Sequence, residues 1–276
     1  MHNLRKLAFI GGGNMAAALI GGLTKQGLAR ERIVVADPSH QQLERLVHDH
    51  GVTTAADNQS AVVGAEVVVL AVKPQQIRAA SLSLAPHLAQ GQPLIISVAA
   101  GIPHAALARW LGSHAAVVRT MPNRPALNGF GATGLYAPAS LGAAYRARAE
   151  AIMGAVSATV WVEHESQMDT VTALSGSGPA YFFLFMEALE AAAHARGLPK
   201  DIAHKLTLET AFGASQMARL SSESLATLRE QVTSKGGTTA AALDVLDAAG
   251  LRAIVAHAVA AADRRSAELA AEFGIP

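Results

Sequence analysis

Cysteine is absent from the chain, which excludes a disulfide framework and thiol chemistry. Aromatic residues are scarce at 4%, while alanine and glycine abound, a mix that suits close helix packing. Charge of one sign is lacking too. The formal net charge is +1, so no strong field draws the chain to nucleic acid or to a membrane surface. Long apolar runs are missing: each is broken by a charge or a glycine within about 18 residues, too soon for a membrane span. The first apolar run is short and ends in glycine, unlike a signal peptide. A soluble, cytoplasmic protein is expected, with neither nucleic acid nor membrane as a partner. The eleven histidines show no metal-ligand spacing. His48 and His50 stand two apart and point to different sides of a helix, so no metal is expected.

What is present begins with Leu7-Ala8-Phe9-Ile10-Gly11-Gly12-Gly13-Asn14-Met15-Ala16. Four apolar residues lead into three glycines, and Met15, Leu19, Ile20 and Leu23 follow at helical spacing. Gly11-x-Gly13-x-x-Ala16 is the dinucleotide fingerprint with alanine in its third place. Gly11 permits a tight turn. Gly13, without a Cβ, lets a pyrophosphate approach the backbone. Ala16 is small enough for helix to pack on strand, and the helix N-terminus offers N–H groups to phosphate. The plainer reading is a glycine turn in an α/β domain. A second strand, Ile33 to Asp37, at the expected distance favours the fingerprint.

With 276 residues the chain can bury a sizeable core in two domains. Its first half alternates strand and helix. Strands are expected at Val67–Val72, Leu94–Val98, Ala116–Arg119, Gly131–Tyr136 and Thr159–Val162. Helices are expected at Gln42–His50, from Pro74 to Leu88, and at Leu141–Val156. This alternation predicts a doubly wound parallel sheet. After Glu163 only helices are expected. They run over Ser166–Arg196 with a break at Ser175–Pro179, then over Pro199–Leu220, Glu223–Val232, Thr239–Ala249 and Arg252–Glu272. The expected domains are 1–164, α/β, and 165–276, all-α. The last helix carries Ile254, Val255, Ala258, Val259 and Ala262 on more than one face, which points to a dimer interface.

Ligands of open α/β sheets bind beyond the carboxyl ends of the strands. Asp37 stands at such an end, where an acid bonds the ribose hydroxyls of NAD and repels the 2′-phosphate of NADP. Ser39 and His40 are able to bond a phosphate instead, and Asp37-Pro38-Ser39 also reads as a helix N-cap. Ala71-Val72-Lys73-Pro74 leaves the third strand, with Lys73 held extended by the proline or simply solvated. Met121-Pro122-Asn123-Arg124-Pro125 is a stiffened loop or a plain turn. In the second half, Val232-Thr233-Ser234-Lys235-Gly236-Gly237-Thr238-Thr239 joins two helices. Its glycines and helix start suit a small carboxylate or phosphate; the plainer reading is a Gly-Gly turn with a threonine cap.

Together these stretches resemble the Δ1-pyrroline-5-carboxylate reductase family, the last enzyme of proline biosynthesis. The likeness covers nearly the whole chain. It is carried by Phe9–Met15, Ala71–Pro74, Met121–Asn123, the run Ala173-Leu174-Ser175-Gly176-Ser177-Gly178-Pro179-Ala180-Tyr181, and the long stretch Leu228–Asp247. The resemblance implies an N-terminal Rossmann domain for NADPH or NADH and an all-α C-terminal domain that interlocks with a second subunit. The assembly is a homodimer or larger, up to a decamer. Implied cofactor residues are Gly11, Gly13, Asn14, Met15, Asp37, Ser39, Asn58, Ala71, Val72, Lys73, Pro74, Met121, Pro122 and Asn123. Ser234, Gly236, Gly237 and Thr238 would hold the substrate carboxylate, and Thr239 would bond the imine nitrogen as the catalytic residue. Two positions depart from the family pattern: Lys235 stands where proline is usual, and Arg124 where threonine is.

The implied reaction is hydride transfer to the C=N carbon of the pyrroline ring, giving L-proline. The site motif holds no histidine or carboxylate as a proton donor, so the imine binds protonated or Thr239 relays a proton from water. Two other readings stand beside this one. A related reductase of a β-hydroxy acid or another cyclic imine would need a lysine acid or base, and Lys200 and Lys205 lie outside any matching motif. A cofactor-binding regulator without turnover would not need the carboxylate loop.

Overall fold

The computed structural model describes residues 4–89, 91–112 and 116–274. The chain divides into two compact units, 1–177 with 261–276, and 178–260.

The first unit holds one eight-stranded sheet in the order β3-β2-β1-β4-β5-β6-β7-β8. Its strands are β1 (Leu7–Ile10), β2 (Ile33–Ala36), β3 (Thr53–Thr54), β4 (Val67–Leu70), β5 (Leu94–Ser97), β6 (Ala116–Met121), β7 (Gly131–Tyr136) and β8 (Ser157–Trp161). β1 and β4 are apolar throughout, and β5 up to its last residue, Ser97, because both their faces are covered. Odd and even residues build separate cores. Leu7, Phe9, Val67 and Val69 face Leu19, Ile20 and Leu23 of α1 (Asn14–Lys25) and Ile152 of α6 (Ala143–Met153). Ala8, Ile10, Val68 and Leu70 face Ile77 and Leu84 of α4 (Pro74–Leu88) and Leu107 and Trp110 of α5 (His104–Trp110). Each such leucine, isoleucine or phenylalanine contributes about 1.5–3 kcal/mol of burial.

The expected parallel sheet needs one correction: β7 runs antiparallel to β6. A parallel return requires a crossover of about a dozen residues or more, and only residues 122–130 separate these strands, part of them a 3-10 turn at Arg124–Asn128. After α6 the chain has room to cross over, and β8 pairs parallel with β7. Among the described strands and α-helices, three short ones went unforeseen: β3, α5, and α3 (Asn58–Val62).

The first unit continues past residue 164. α7 (Gln167–Val171) widens into a π turn at Thr172–Gly176. Val171 packs so close to Gly134 on β7 that a Cβ there would lie 2.6 Å from it. The Asn123 side-chain amide donates to Ser175 O at 2.9 Å, fastening the turn to the end of β6.

The second unit contains α8 (Gly178–Ala195), α9 (Lys200–Leu220), α10 (Leu225–Gln231), α11 (Thr238–Ala248) and the start of α12 (Leu251–Phe273). Many of its large apolar side chains lie outside: Phe182, Phe183, Leu206, Phe212, Val245 and Ile254 are all exposed. So much open apolar surface is the mark of a face that another chain covers.

Candidate active site

The strand order reverses between β1 and β4, and their carboxyl ends form the crevice where such sheets bind ligands. Gly11 takes φ +100°, and a Cβ on it would stand 2.6 Å from Ala71 O. Its N–H donates to Ala36 O at 2.8 Å, and Ala71 N–H donates to Ile10 O at 2.8 Å. One glycine thus lets three strand ends converge. Gly13 differs: a Cβ there would meet nothing within 4 Å. It is the extended N-cap of α1, and no side chain caps that helix. Asn14 and Met15 are the first residues of α1. An open face over uncapped N–H groups fits a pyrophosphate.

Asp37 is not a helix cap; Ser39 is, its hydroxyl accepting the Gln42 N–H at 3.4 Å. The Asp37 carboxylate instead accepts Gly12 N–H at 2.7 Å on Oδ2 and Ser39 N–H at 2.8 Å on Oδ1. Beside it lies a cleft of about 430 Å³ lined by Gly11, Pro38, Asn58, Val72 and Gln76, among others. Asn58 reaches it as the first residue of α3, which Asp57 caps through Ser60 N–H at 2.7 Å. Lys73 is the extended, exposed N-cap of α4, with Pro74 at the first helical position. Met121 is half-buried and packs on Gly176, while Pro122 is buried. The Asn123 amide is committed on both sides, donating to Ser175 O and accepting Ala132 N–H at 2.9 Å.

In the second unit, residues 232–237 turn the chain between α10 and α11. Only Gly236 adopts a left-handed backbone, φ +72°. Gly237 has ordinary dihedrals and serves a close approach: a Cβ would lie 3.2 Å from Ser234 O, which its own N–H reaches at 3.0 Å. Gly237 is also the N-cap of α11, with no side-chain cap. The first helical bond is Ala241 N–H to Gly237 O. Thr238, Thr239 and Ala240 therefore present backbone N–H groups at a helix N-terminus. Ser234, Lys235, Gly236 and Thr238 are exposed and Thr239 is half-buried.

Residues 165–269 match the family described as pyrroline-5-carboxylate reductase dimerisation. Residues 6–101 match the one described as NADP oxidoreductase, coenzyme F420-dependent. A pyrroline-5-carboxylate reductase of Pseudomonas aeruginosa is 49% identical over 98% of each chain. The chain belongs to the pyrroline-5-carboxylate reductase family. A solved family structure from Coxiella burnetii superposes with a TM-score of 0.94 at 43% identity, covering 97% of this chain and 99% of that one. Another, from Plasmodium falciparum with NADP bound, gives 0.84 at 28%, covering 98% and 99%. The membership makes the chain an NAD(P)H-dependent oxidoreductase with a dimerisation region.

Inside this reductase sits a charged cluster that the sequence reading missed. Arg119, on β6, has a side chain only 5% exposed, and its Nη1 donates to Glu165 Oε1 at 2.9 Å. The same oxygen accepts the His104 N–H at the start of α5. Burial pushes the His104 imidazole below its usual pKa, with Arg119 adding to this; Glu165 and a bond to the Val117 backbone pull the other way. The signal was there: an arginine inside an apolar strand requires a partner. No group of His, Asp or Glu suited to a metal ion occurs among the described residues. No single described helix is long and apolar enough to cross a membrane.

Proposed function

We propose that this reductase converts 1-pyrroline-5-carboxylate to L-proline, using NADPH or NADH, as the last step of proline biosynthesis. The observation that carries the reading is the 49% identity that runs through both units and takes in both glycine loops. The nicotinamide supplies a hydride to the C=N carbon. The protein's own work is binding, orientation and exclusion of water. Ser234, Gly236, Gly237 and Thr238 hold the carboxylate through the helix N-terminus. The Thr239 hydroxyl bonds the ring nitrogen, whose proton is either already present when the imine binds or relayed by Thr239 from water, so that hydride at carbon yields the neutral amine. The glycine loop, Asn58 and residues 71–74 border the cofactor, as do Met121 and Pro122. Asn123 supports that border through its backbone loop.

The smallest active unit is a homodimer, supported by the dimerisation match and the apolar surface of α8, α9 and α11; larger rings such as a decamer would be built from it. A cytoplasmic location goes with this reading. The test is oxidation of NADPH and of NADH by the purified chain, with and without pyrroline-5-carboxylate. Substrate-dependent oxidation is expected, and its absence with both nucleotides rejects the reading.

A further inference from the structure

The carboxylate of Asp37 is fixed at the mouth of the crevice. Each of its oxygens accepts one backbone N–H, Gly12 at 2.7 Å and Ser39 at 2.8 Å. Gly12 packs so near that a Cβ on it would lie 3.4 Å from the Asp37 Cβ. The side chain cannot swing aside without breaking both bonds. It still has acceptor capacity, because a carboxylate takes about four hydrogen bonds.

The adjoining cleft offers no counter-charge. Among the described residues, no lysine, arginine or histidine lines it. None of the basic groups of α2 (His40–His50) is among the residues that line that cleft. His40 is exposed and lies 3.9 Å from Glu44. Arg45 lines a different groove, with Asp49 and His50. The Ser39 hydroxyl is spent on capping α2. The remaining attraction for phosphate is the N-terminus of α2, a partial charge of about one half. That does not offset a full negative charge fixed beside it.

We infer that Asp37 selects a dinucleotide with a free ribose 2′-hydroxyl, so that this chain binds NADH in preference to NADPH. The hydroxyl donates to the held carboxylate, whereas a 2′-phosphate meets it as a like charge, with no lysine, arginine or histidine among the described residues that line the cleft beside it. The inference deepens the reductase reading and depends on it only for the class of cofactor.

The test is equilibrium binding of NADH and of NADPH to the purified full chain without substrate, followed by nucleotide fluorescence. NADH is expected to bind about tenfold tighter or more. Added salt should narrow that ratio by screening the repulsion. Asp37→Ser and Asp37→Asn should bring the ratio close to one or invert it. Equal or tighter binding of NADPH by the parent chain overturns the inference, and so does a ratio that both variants leave unchanged. The parent ratio and its salt dependence stand even where a variant fails to fold. The two readings fail separately. Turnover of pyrroline-5-carboxylate with tighter NADPH binding keeps the reductase and removes the role of Asp37. Tighter NADH binding without turnover does the reverse.

Discussion

The carbonyl oxygen of Ala71 lies 2.6 Å from where a Cβ on Gly11 would stand. Gly11 also holds φ +100°, a region that L side chains avoid. Gly11→Ala therefore strains the backbone and pushes β1 and β4 apart at the crevice. A loss of about 2 kcal/mol or more is expected, read as a lower melting temperature together with weaker nucleotide binding. Gly13→Val makes the contrast, since its Cβ enters open space. That variant should melt within a few degrees of the parent and lose NAD(P)H binding. Parent-like nucleotide affinity in Gly13→Val would refute the loop assignment.

The strands β1, β4 and β5 and the glycine loop were legible because each is local. A continuous apolar run and three successive glycines state their own structure. β3, α3 and α5 were not, being too short to show a period. The direction of β7 is set by the length of its connection to β6, not by its own residues. Partners distant in sequence stayed hidden as well. Asp37 meets a backbone N–H 25 residues away, and Arg119 meets a carboxylate 46 residues away. Spacing within a motif carries no trace of either bond. In the candidate site, the Gly236-Gly237 turn was legible, but which glycine is left-handed was not.

Arg119 is almost completely buried while Glu165 remains partly exposed, with side chains 5% and 28% accessible. Removing the carboxylate leaves a buried guanidinium with its ion pair gone. Glu165→Ala should cost about 3 kcal/mol, less whatever water recovers through the exposed side. Arg119→Met, which removes the charge and keeps apolar volume, should cost less than Glu165→Ala. Denaturant unfolding of both variants at one protein concentration measures the order, and the reverse order would show that the pair is not what holds this corner.

His104 supplies a pH dependence. Burial holds its folded-state pKa below the usual value, while the unfolded chain titrates near about 6.5. Above about pH 6.5 both states are neutral and the stability is complete. Below it the unfolded chain binds the proton first, so stability falls with pH until the folded imidazole also titrates. His104→Phe keeps a ring for the edge contact with Tyr136, whose centroid lies 6.0 Å away. Melting temperature against pH should fall less steeply for His104→Phe just below that point. Superimposable slopes for parent and variant would remove His104 as a cause.

Thr239 stands at the second position of α11, behind the uncapped Gly237. It is thus not a helix cap, and no cap is lost when its side chain is cut. Thr239→Ala should leave stability within about 0.5 kcal/mol, since alanine is also the better helix former. In the proposed reaction its hydroxyl bonds the ring nitrogen, where charge changes as hydride arrives. Loss of a hydrogen bond to such a group costs roughly 1.5–3 kcal/mol, about 10–150-fold in kcat/KM. Nucleotide affinity should not move, because the glycine loop belongs to the other unit. Thr239→Ser keeps the hydroxyl and should retain most of the rate. Thr238→Ala should matter less, its part being played by the backbone N–H that alanine also carries. An unchanged melting temperature with a rate loss in Thr239→Ala, rescued in Thr239→Ser, is the expected pattern. If Thr239→Ala instead keeps kcat/KM for pyrroline-5-carboxylate within about twofold, the hydroxyl does not touch the reacting atoms, and the helix N-terminus alone positions the substrate.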